Sequence, residues 1–368
     1  MGSSINAAAA FAPVAPPPAL LSHELRLWLN EHALALDTGT ELASELLPKL
    51  AASSLFGLGV PQQLGGRPGS SFADALDAVS DVAELSLTAA FVLWGQRSFI
   101  EYLLQTENAE LRSCYLPDLL DGKIAGATGL SNAIKFLGGI EGLQVSATEQ
   151  TDGSWSLSGR LPWVTNLRPD NYVVAVAVST PNASPAIVAI HHDDSGQERS
   201  NDLPLIGLQA SNTAALSFNQ LQLSANRVLH DNAALYINQI RPEFLGLQCA
   251  LTIGLVRKCV KQVLEHTRKV RILTEAATSI LNELEQLRLT LLKGVDSGLY
   301  RINPRKLFEV RIALADLAAQ AVALESASEG GVCYLAGGRE HTLRRHREAM
   351  FVPLVSPTVV QLKSALQG

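Results

Sequence analysis

The spacing of apolar residues in this chain changes twice, and that change limits what it can fold into. From 22 to 121 apolar side chains recur at helical intervals; from 122 to 228 they form short runs and strict alternations; from 229 to 368 the helical interval returns. A 3.6-residue period buries one stripe of a helix, and a two-residue period buries one face of a strand. The three blocks predict a multidomain α+β architecture: an N-terminal helical domain, a middle β-barrel domain and a C-terminal four-helix bundle. Ahead of them, residues 1–21 are rich in Ala and Pro. Pro16, Pro17 and Pro18 bar a regular helix there, so this stretch reads as a flexible leader.

Within the first block, "SHELRLWLNEHALAL" sets Leu25, Leu27, Leu29 and Leu34 among polar residues and offers Ser22 as an N-cap. "SFADALDAVSDVAELSLTAAFVLWGQRSFIEYLLQ" supplies one or two further helices, the second apolar enough to be central. In the middle block, "LQVSATEQ", "SWSLSGRLPWVTN", "NYVVAVAVS", "PAIVAIHH" and "AALSFNQLQL" read as strands parted by Gly, Pro, Asn and Asp. In the last block, one long helix is predicted from Pro242, a second carries the stripe Ile280, Leu281, Leu284, Leu287 and Leu291, and a third starts with Asn303 as cap and Pro304 in the first turn.

Composition removes several classes of function. The net charge is −6 with no basic face, which argues against nucleic acid as a partner. No apolar run reaches the ~20 residues of a membrane-spanning helix. Cys114, Cys249, Cys259 and Cys333 are scattered without a C-x-x-C pair, as expected of reduced thiols in a cytoplasmic protein without zinc. Nucleotide-loop, zinc-protease and serine-elbow motifs are absent. His191 and His192, beside Asp193 and Asp194, look like metal ligands, but neighbouring strand residues face opposite sides. The expectation is a loop tip and no metal site. "RRHRE", Arg344 to Glu348, reads as a solvated basic turn, with a phosphate contact as the alternative.

One stretch of the middle block stands apart. Trp163, Val164, Thr165 and Asn166 precede the valine run of "NYVVAVAVS" in a chain with four tryptophans. Trp163 either caps the β core or walls a site for a flat ring.

Several phrases, in order, decide how that stretch reads. "LAASSLFGLGVPQQLGG" (50–66), "YLPDLLDGKIAGATGLS" (115–131), "WSLSGRLPWVTN" (155–166), "PLIGLQASNTAALSFNQLQLSANRVL" (204–229) and "EGGVCYL" (329–335) together resemble the acyl-CoA dehydrogenase family over 22–368. The resemblance implies that family's fold and a flavin, FAD or alternatively FMN. It places Trp163 against the ring and the Thr165 hydroxyl near its N5 atom. Ala127 and Thr128 would hold the flavin edge, joined by Ser131 and Thr358, with Gly330 and Gly331 near the adenine side. Asn238 and Arg241 would lie on the substrate side, Arg241 toward the acyl thioester or its CoA portion, with an ordinary helix arginine as the alternative. The family's interfaces imply a homodimer or homotetramer joined through C-terminal helices, with an electron-transfer partner or flavin reductase.

Two departures accompany the resemblance. Ser356 stands where the family carries its catalytic glutamate, and Ile240 fills the second known base position. The nearest carboxylate, Glu243, lies about 200° around the helix from Arg241. "RKVRILTEAATSI", with Arg268 and Arg271, lacks the F-G that usually helps hold FAD pyrophosphate. Three functions are compatible: an acyl-CoA dehydrogenase-like oxidoreductase acting on CH–CH groups, a flavin-dependent monooxygenase fed by a reductase, or a non-catalytic relative.

Overall fold

Ser22 accepts the amide hydrogen of Leu25 and starts the first helix, α1 (His23–Thr38). The structure, a computed structural model, describes residues 20–151, 153–180, 184–266 and 270–367. The expected leader therefore lies outside the described residues up to 19; of its last two residues, Leu21 is buried in the core. Next come α2 (Ala43–Ala52), α3 (Phe72–Leu85), α4 (Leu87–Gln105) and α5 (Ala109–Leu120). A capping box between Ser71 and Asp74 opens α3, and Asn108 caps α5. As its composition requires, α4 is buried along almost its whole length.

The middle segment runs β1 (Ala125–Gly129), α6 (Ser131–Leu137), β2 (Val145–Glu149), β3 (Trp155–Val164), β4 (Tyr172–Val178), β5 (Ala186–His191), β6 (Gln197–Asp202), β7 (Ala214–Leu223) and β8 (Val228–His230). Its strands form two four-stranded sheets, ordered β1-β4-β5-β8 and β2-β3-β7-β6. Single bridges, Thr128 to Thr165 and Ser146 to Ser179, join the two sheets. Every residue of β4 is buried, which explains its unbroken Val and Ala run. Strand periodicity gave no sign of α6 or β6.

The last segment holds α7 (Ala233–His266), α8 (Arg271–Asp296), α9 (Leu299–Ile302), α10 (Pro304–Glu329), α11 (Glu340–Phe351) and α12 (Val359–Gln367). The long helix expected from Pro242 begins earlier, at Ala233, with Pro242 buried inside it. A proline removes one backbone bond, and packing against α3, α4 and α10 outweighs that loss. α7 and α3 come so close that a Cβ on Gly254 would fall 2.1 Å from the Ser80 carbonyl oxygen. In the α8 stripe Ile280, Leu284 and Leu291 are buried, while Leu281 faces outward. Pro304 opens α10 as expected, but the Asn303 side chain makes no capping bond. Among the described residues no helix is long and apolar enough to cross a membrane.

Two local expectations are corrected. Arg344 to Glu348 do not form a solvated turn; they lie on α11 with Arg344 and Arg345 buried. Arg344 donates to Glu348 at 2.8 Å and to the Leu85 carbonyl at 3.1 Å. Arg345 Nε donates to Glu325 at 2.8 Å, and Arg347 Nη2 to Asp37 at 2.6 Å. The acids that neutralise these arginines come from α1 and α10 as well as α11, so a local reading sees only the excess of base. The second concerns only the side-chain directions of His191 and His192, since the expected loop tip is present. β5 ends at His191, so strand alternation stops there. The two rings lie 4.4 Å apart, and His192 Nε2 is 2.9 Å from an Asp193 carboxylate oxygen. The three side chains do converge, in a turn held by the His191 amide donating to Asp194 at 2.7 Å.

Candidate functional site

A bulge decides the fate of Trp163. β3 pairs with β7 at Leu161–Leu216 and again at Val164–Ala214, and the register shifts between them. The extra residue re-aims the side chain. Trp163 is 57% exposed in this chain, so it does not cap the β core. Its indole instead lines a cavity of about 420 Å³, a size typical of small-molecule sites.

Immediately after the bulge the chain is pinned. Asn166 takes a left-handed backbone conformation, φ 58°, which asparagine tolerates. Its buried amide donates to Gln96 Oε1 at 3.0 Å and to the Gly126 carbonyl at 2.9 Å. Gln96, from the centre of α4, also accepts the Gly126 amide hydrogen at 2.6 Å. The same side chain donates to the Leu119 carbonyl at 2.9 Å and the Ile124 carbonyl at 3.0 Å. One fully buried side chain thus ties α4, the end of α5, β1 and the turn after β3. Sequence reasoning missed Gln96, although a Gln inside the most apolar helix was a usable signal.

The cavity is rimmed by hydroxyls from distant segments. Thr128 is the penultimate residue of β1, Thr165 follows β3, and the isolated bridge sets them side by side. Thr165 Oγ1 is 3.2 Å from Thr213 Oγ1, which is 2.8 Å from Ser211 Oγ. Thr128 Oγ1 is 2.9 Å from the Tyr102 hydroxyl, and Ser131 Oγ is 2.7 Å from Ser356 Oγ. Thr358 completes the lining. Aromatic rings form the opposite wall: Phe91 and Trp94 stack with centroids 5.2 Å apart, and Phe351 meets Phe91 edge-on at 4.7 Å. Two cations reach the lining, Arg347 bound to Asp37 and Lys135 3.4 Å from Glu141. No carboxylate is among the described lining residues.

A second cavity, about 350 Å³, adjoins the first. Its lining is mostly apolar: Leu130, Ile134 and Leu137 around α6, Ile237 and Ile240 on α7, Phe308 on α10, Leu362 on α12, with Tyr102, Arg241, Gln361 and Ser364 as its polar members. Phe244 lines both cavities. Between them stand two polar junctions. Tyr102 faces the smaller cavity and its partner Thr128 the larger; Pro357 faces the smaller and its neighbour Ser356 the larger. Burial pushes the Tyr102 phenol well above its ordinary pKa, so it stays a neutral hydrogen-bonding group.

The remaining sequence candidates are placed as follows. Arg241 lines the smaller cavity, its guanidinium 5.8 Å from the centre of the Phe308 ring. Asn238 is exposed and lines neither cavity. Ala127 is buried in the sheet, paired with Val174, and lines neither. Gly330 and Gly331 sit at the end of α10 with open space around them, away from both linings. Glu243 also lies outside both; its carboxylate is held by Arg301 and by Gln105 Nε2 at 3.1 Å. Ser356 is at the junction, its carbonyl accepting from Gln248 Nε2 at 2.7 Å. Arg268 lies outside the described residues, and Arg271 is exposed and paired with Glu275.

Comparison with known proteins adds to this geometry. Residues 25–123 match the family description "Acyl-CoA dehydrogenase, N-terminal domain". A probable acyl-CoA dehydrogenase, fadE25 of Mycobacterium leprae, is 24% identical over 203 residues, 54% of this chain and 51% of that protein. The chain spans about half the length of this and similar curated relatives. Among solved structures, the glutaryl-coenzyme A dehydrogenase glutaryl-CoA complex superposes with a TM-score of 0.81 at 18% identity, covering 94% of this chain and 93% of that one. KijD3 in complex with FMN and a dTDP-sugar superposes with a TM-score of 0.75 at 18% identity, covering 94% and 90%.

Proposed function

We propose that this protein, placed in the acyl-CoA dehydrogenase family by the match of residues 25–123 to that family's N-terminal domain and by its fold, is a flavin-dependent oxidoreductase. The observation that carries this reading is the larger cavity. It collects Trp163, Thr165, Thr128, Ser131 and Thr358 from separate segments around one ring-sized space. A flavin ring has two flat apolar faces and one polar edge, and this lining offers both kinds of surface. FAD is the family's cofactor, and the relative KijD3, solved with FMN, makes FMN the alternative. When bound, the flavin supplies two-electron acceptance or donation.

The chain's own residues do the rest. Trp163 would cover one face of the ring and keep water from it. The Thr128 and Thr165 hydroxyls, each tethered to a second hydroxyl, would hold the polar edge. Ser131 and Ser356 present a paired hydroxyl where the cavities meet. The smaller cavity takes the apolar part of an acyl substrate. No described residue lining either cavity is a carboxylate, and a serine hydroxyl is far too weak to take a proton alpha to a thioester. That absence favours an oxygen-transferring monooxygenase, supplied with reduced flavin by a partner reductase, over α,β-dehydrogenation. The curated acyl-CoA dehydrogenase relatives favour dehydrogenation. Ile272 on α8 and Ile302 on α9 are exposed, which suits self-association through the C-terminal helices. All four cysteines are free thiols, which suits the reducing cytoplasm.

Visible spectra test the proposal. The protein should turn yellow with added FAD or FMN, resist anaerobic bleaching by acyl-CoA, and consume oxygen when reduced flavin is supplied. A protein that stays colourless with both flavins is no flavoenzyme. Rapid anaerobic bleaching by acyl-CoA would establish dehydrogenation instead.

A further inference from the structure

Arg241 carries the one charge among the described residues that line the smaller cavity. It is half-buried, and no described carboxylate or carbonyl pairs with it; its neighbour is the Phe308 ring. Burial pulls its pKa below the ordinary guanidinium value, and no acid lies near enough to oppose that shift. Among the described residues the fully buried arginines, Arg97, Arg311, Arg344 and Arg345, are each bound to carboxylates or carbonyls. Desolvating a guanidinium without a partner is unfavourable, so an arginine held this way is poised for an anion that arrives with a ligand.

The surroundings narrow the anion. Arg241 lies inside α7, well past its first turn, so no free backbone amides supplement it. Helix α10 starts at Pro304 on the same wall, adding the positive end of a helix dipole. One guanidinium matches one carboxylate in charge and in its two-pronged geometry. A phosphate dianion would call for further cations, and this lining has none. Apart from Tyr102, Gln361 and Ser364, which are uncharged, the rest of the wall is apolar and suits a hydrocarbon chain.

We infer that the smaller cavity selects an acyl substrate bearing a carboxylate of its own, distinct from the thioester, and that Arg241 binds that carboxylate. This rests on the reading of the smaller cavity as the substrate's place. The reacting carbons would then lie at the junction by Ser356 and Phe244, with the carboxylate directed toward α7.

The test is a binding measurement that needs no turnover. A series of ω-carboxyacyl pantetheine thioesters of increasing length and their methyl-ended counterparts, all free of phosphate, are titrated calorimetrically into flavin-free and flavin-loaded protein. Methyl-ended acyl phosphopantetheines form a third arm. The wild type should bind one or more carboxylated members at least ~10-fold tighter than the matched methyl-ended compounds. Arg241→Gln should lose that preference, and Arg241→Lys should restore part of it. Equal affinity across the whole series overturns the inference, as does a gain confined to the phosphopantetheine arm, which would make Arg241 a carrier-phosphate contact. The wild-type comparison decides the matter even if a variant fails to fold. Carboxylate preference in a protein that takes up no flavin sinks the flavin reading and leaves this inference standing; flavin uptake without the preference does the reverse.

Discussion

Replacing Gln96 with leucine should damage the fold and the candidate flavin site together. The substitution nearly conserves volume, so packing changes little. It deletes four buried hydrogen bonds. Two of the deserted groups have other partners: Asn166 Nδ2 still donates to the Gly126 carbonyl, and the Leu119 carbonyl still accepts from Gly122. The Gly126 amide and the Ile124 carbonyl bear the main loss. Leaving a buried donor or acceptor unpaired costs roughly 1–3 kcal/mol each, so Gln96→Leu should destabilise the protein by about 4 kcal/mol, far above an average substitution. Urea unfolding, read by fluorescence, measures it. Thr165 adjoins Asn166, and Thr128 shares β1 with Gly126, so flavin affinity in a parallel titration should fall by ~10-fold or more. Gln96→Glu keeps the acceptor for Gly126 and Asn166 while losing both donors, so it should retain most of the flavin affinity. A stability loss under about 1 kcal/mol, or flavin binding unmoved in a clearly destabilised Gln96→Leu, would refute the claim that this side chain positions the site.

Other perturbations probe separate parts of the structure. Thr165→Val removes the hydroxyl paired with Thr213 and should weaken flavin binding or shift its potential; an unchanged titration and potential count against that role. Ser356→Glu places a carboxylate where the two cavities meet and should confer anaerobic bleaching by acyl-CoA, whereas unaltered spectra would show that position 356 does not reach the reacting carbons. Glu325→Ala strands the buried Arg345 guanidinium and should cost about 3–5 kcal/mol in urea unfolding; a cost near zero would mean the pair is not insulated from water. Burial raises the Glu101 carboxyl from 4.5 to about 7, against the attraction of Arg97. The folded protein thus prefers protonated Glu101 more than the unfolded chain does. That stabilising contribution is complete below pH 4.5 and lost as pH rises through about 7. Relative to Glu101→Gln, wild-type stability should fall across that window, and a pH-independent difference would contradict the burial argument.

Periodicity alone determined a good deal here. The helix–strand–helix order, the Ser22 cap, the buried α4 and the strands β2 to β5 and β7 follow from local rules of spacing and capping, which depend on residues a few positions apart; the roles expected of Trp163 and Thr165 came from the family resemblance. α6 and β6 escaped because a seven-residue helix and a half-exposed edge strand leave little periodic trace. The RRHRE segment misled because its counter-charges lie on α1 and α10. The facing of His191 and His192 misled because the strand ends at the first of them, although the loop tip itself was legible.

The tertiary structure alone decided the rest. It turned Trp163 outward through a bulge, joined Thr128 to Thr165 across two sheets, and brought Ser356 against Ser131. It withdrew Glu243 into an ion pair with Arg301 and left Arg241 unpaired in an apolar cavity. The physical reason is one of range. Secondary structure is set by hydrogen bonds and side-chain rows within a turn or two, whereas a site is set by which distant surfaces are driven together when the apolar faces of α4, α7 and the two sheets leave water.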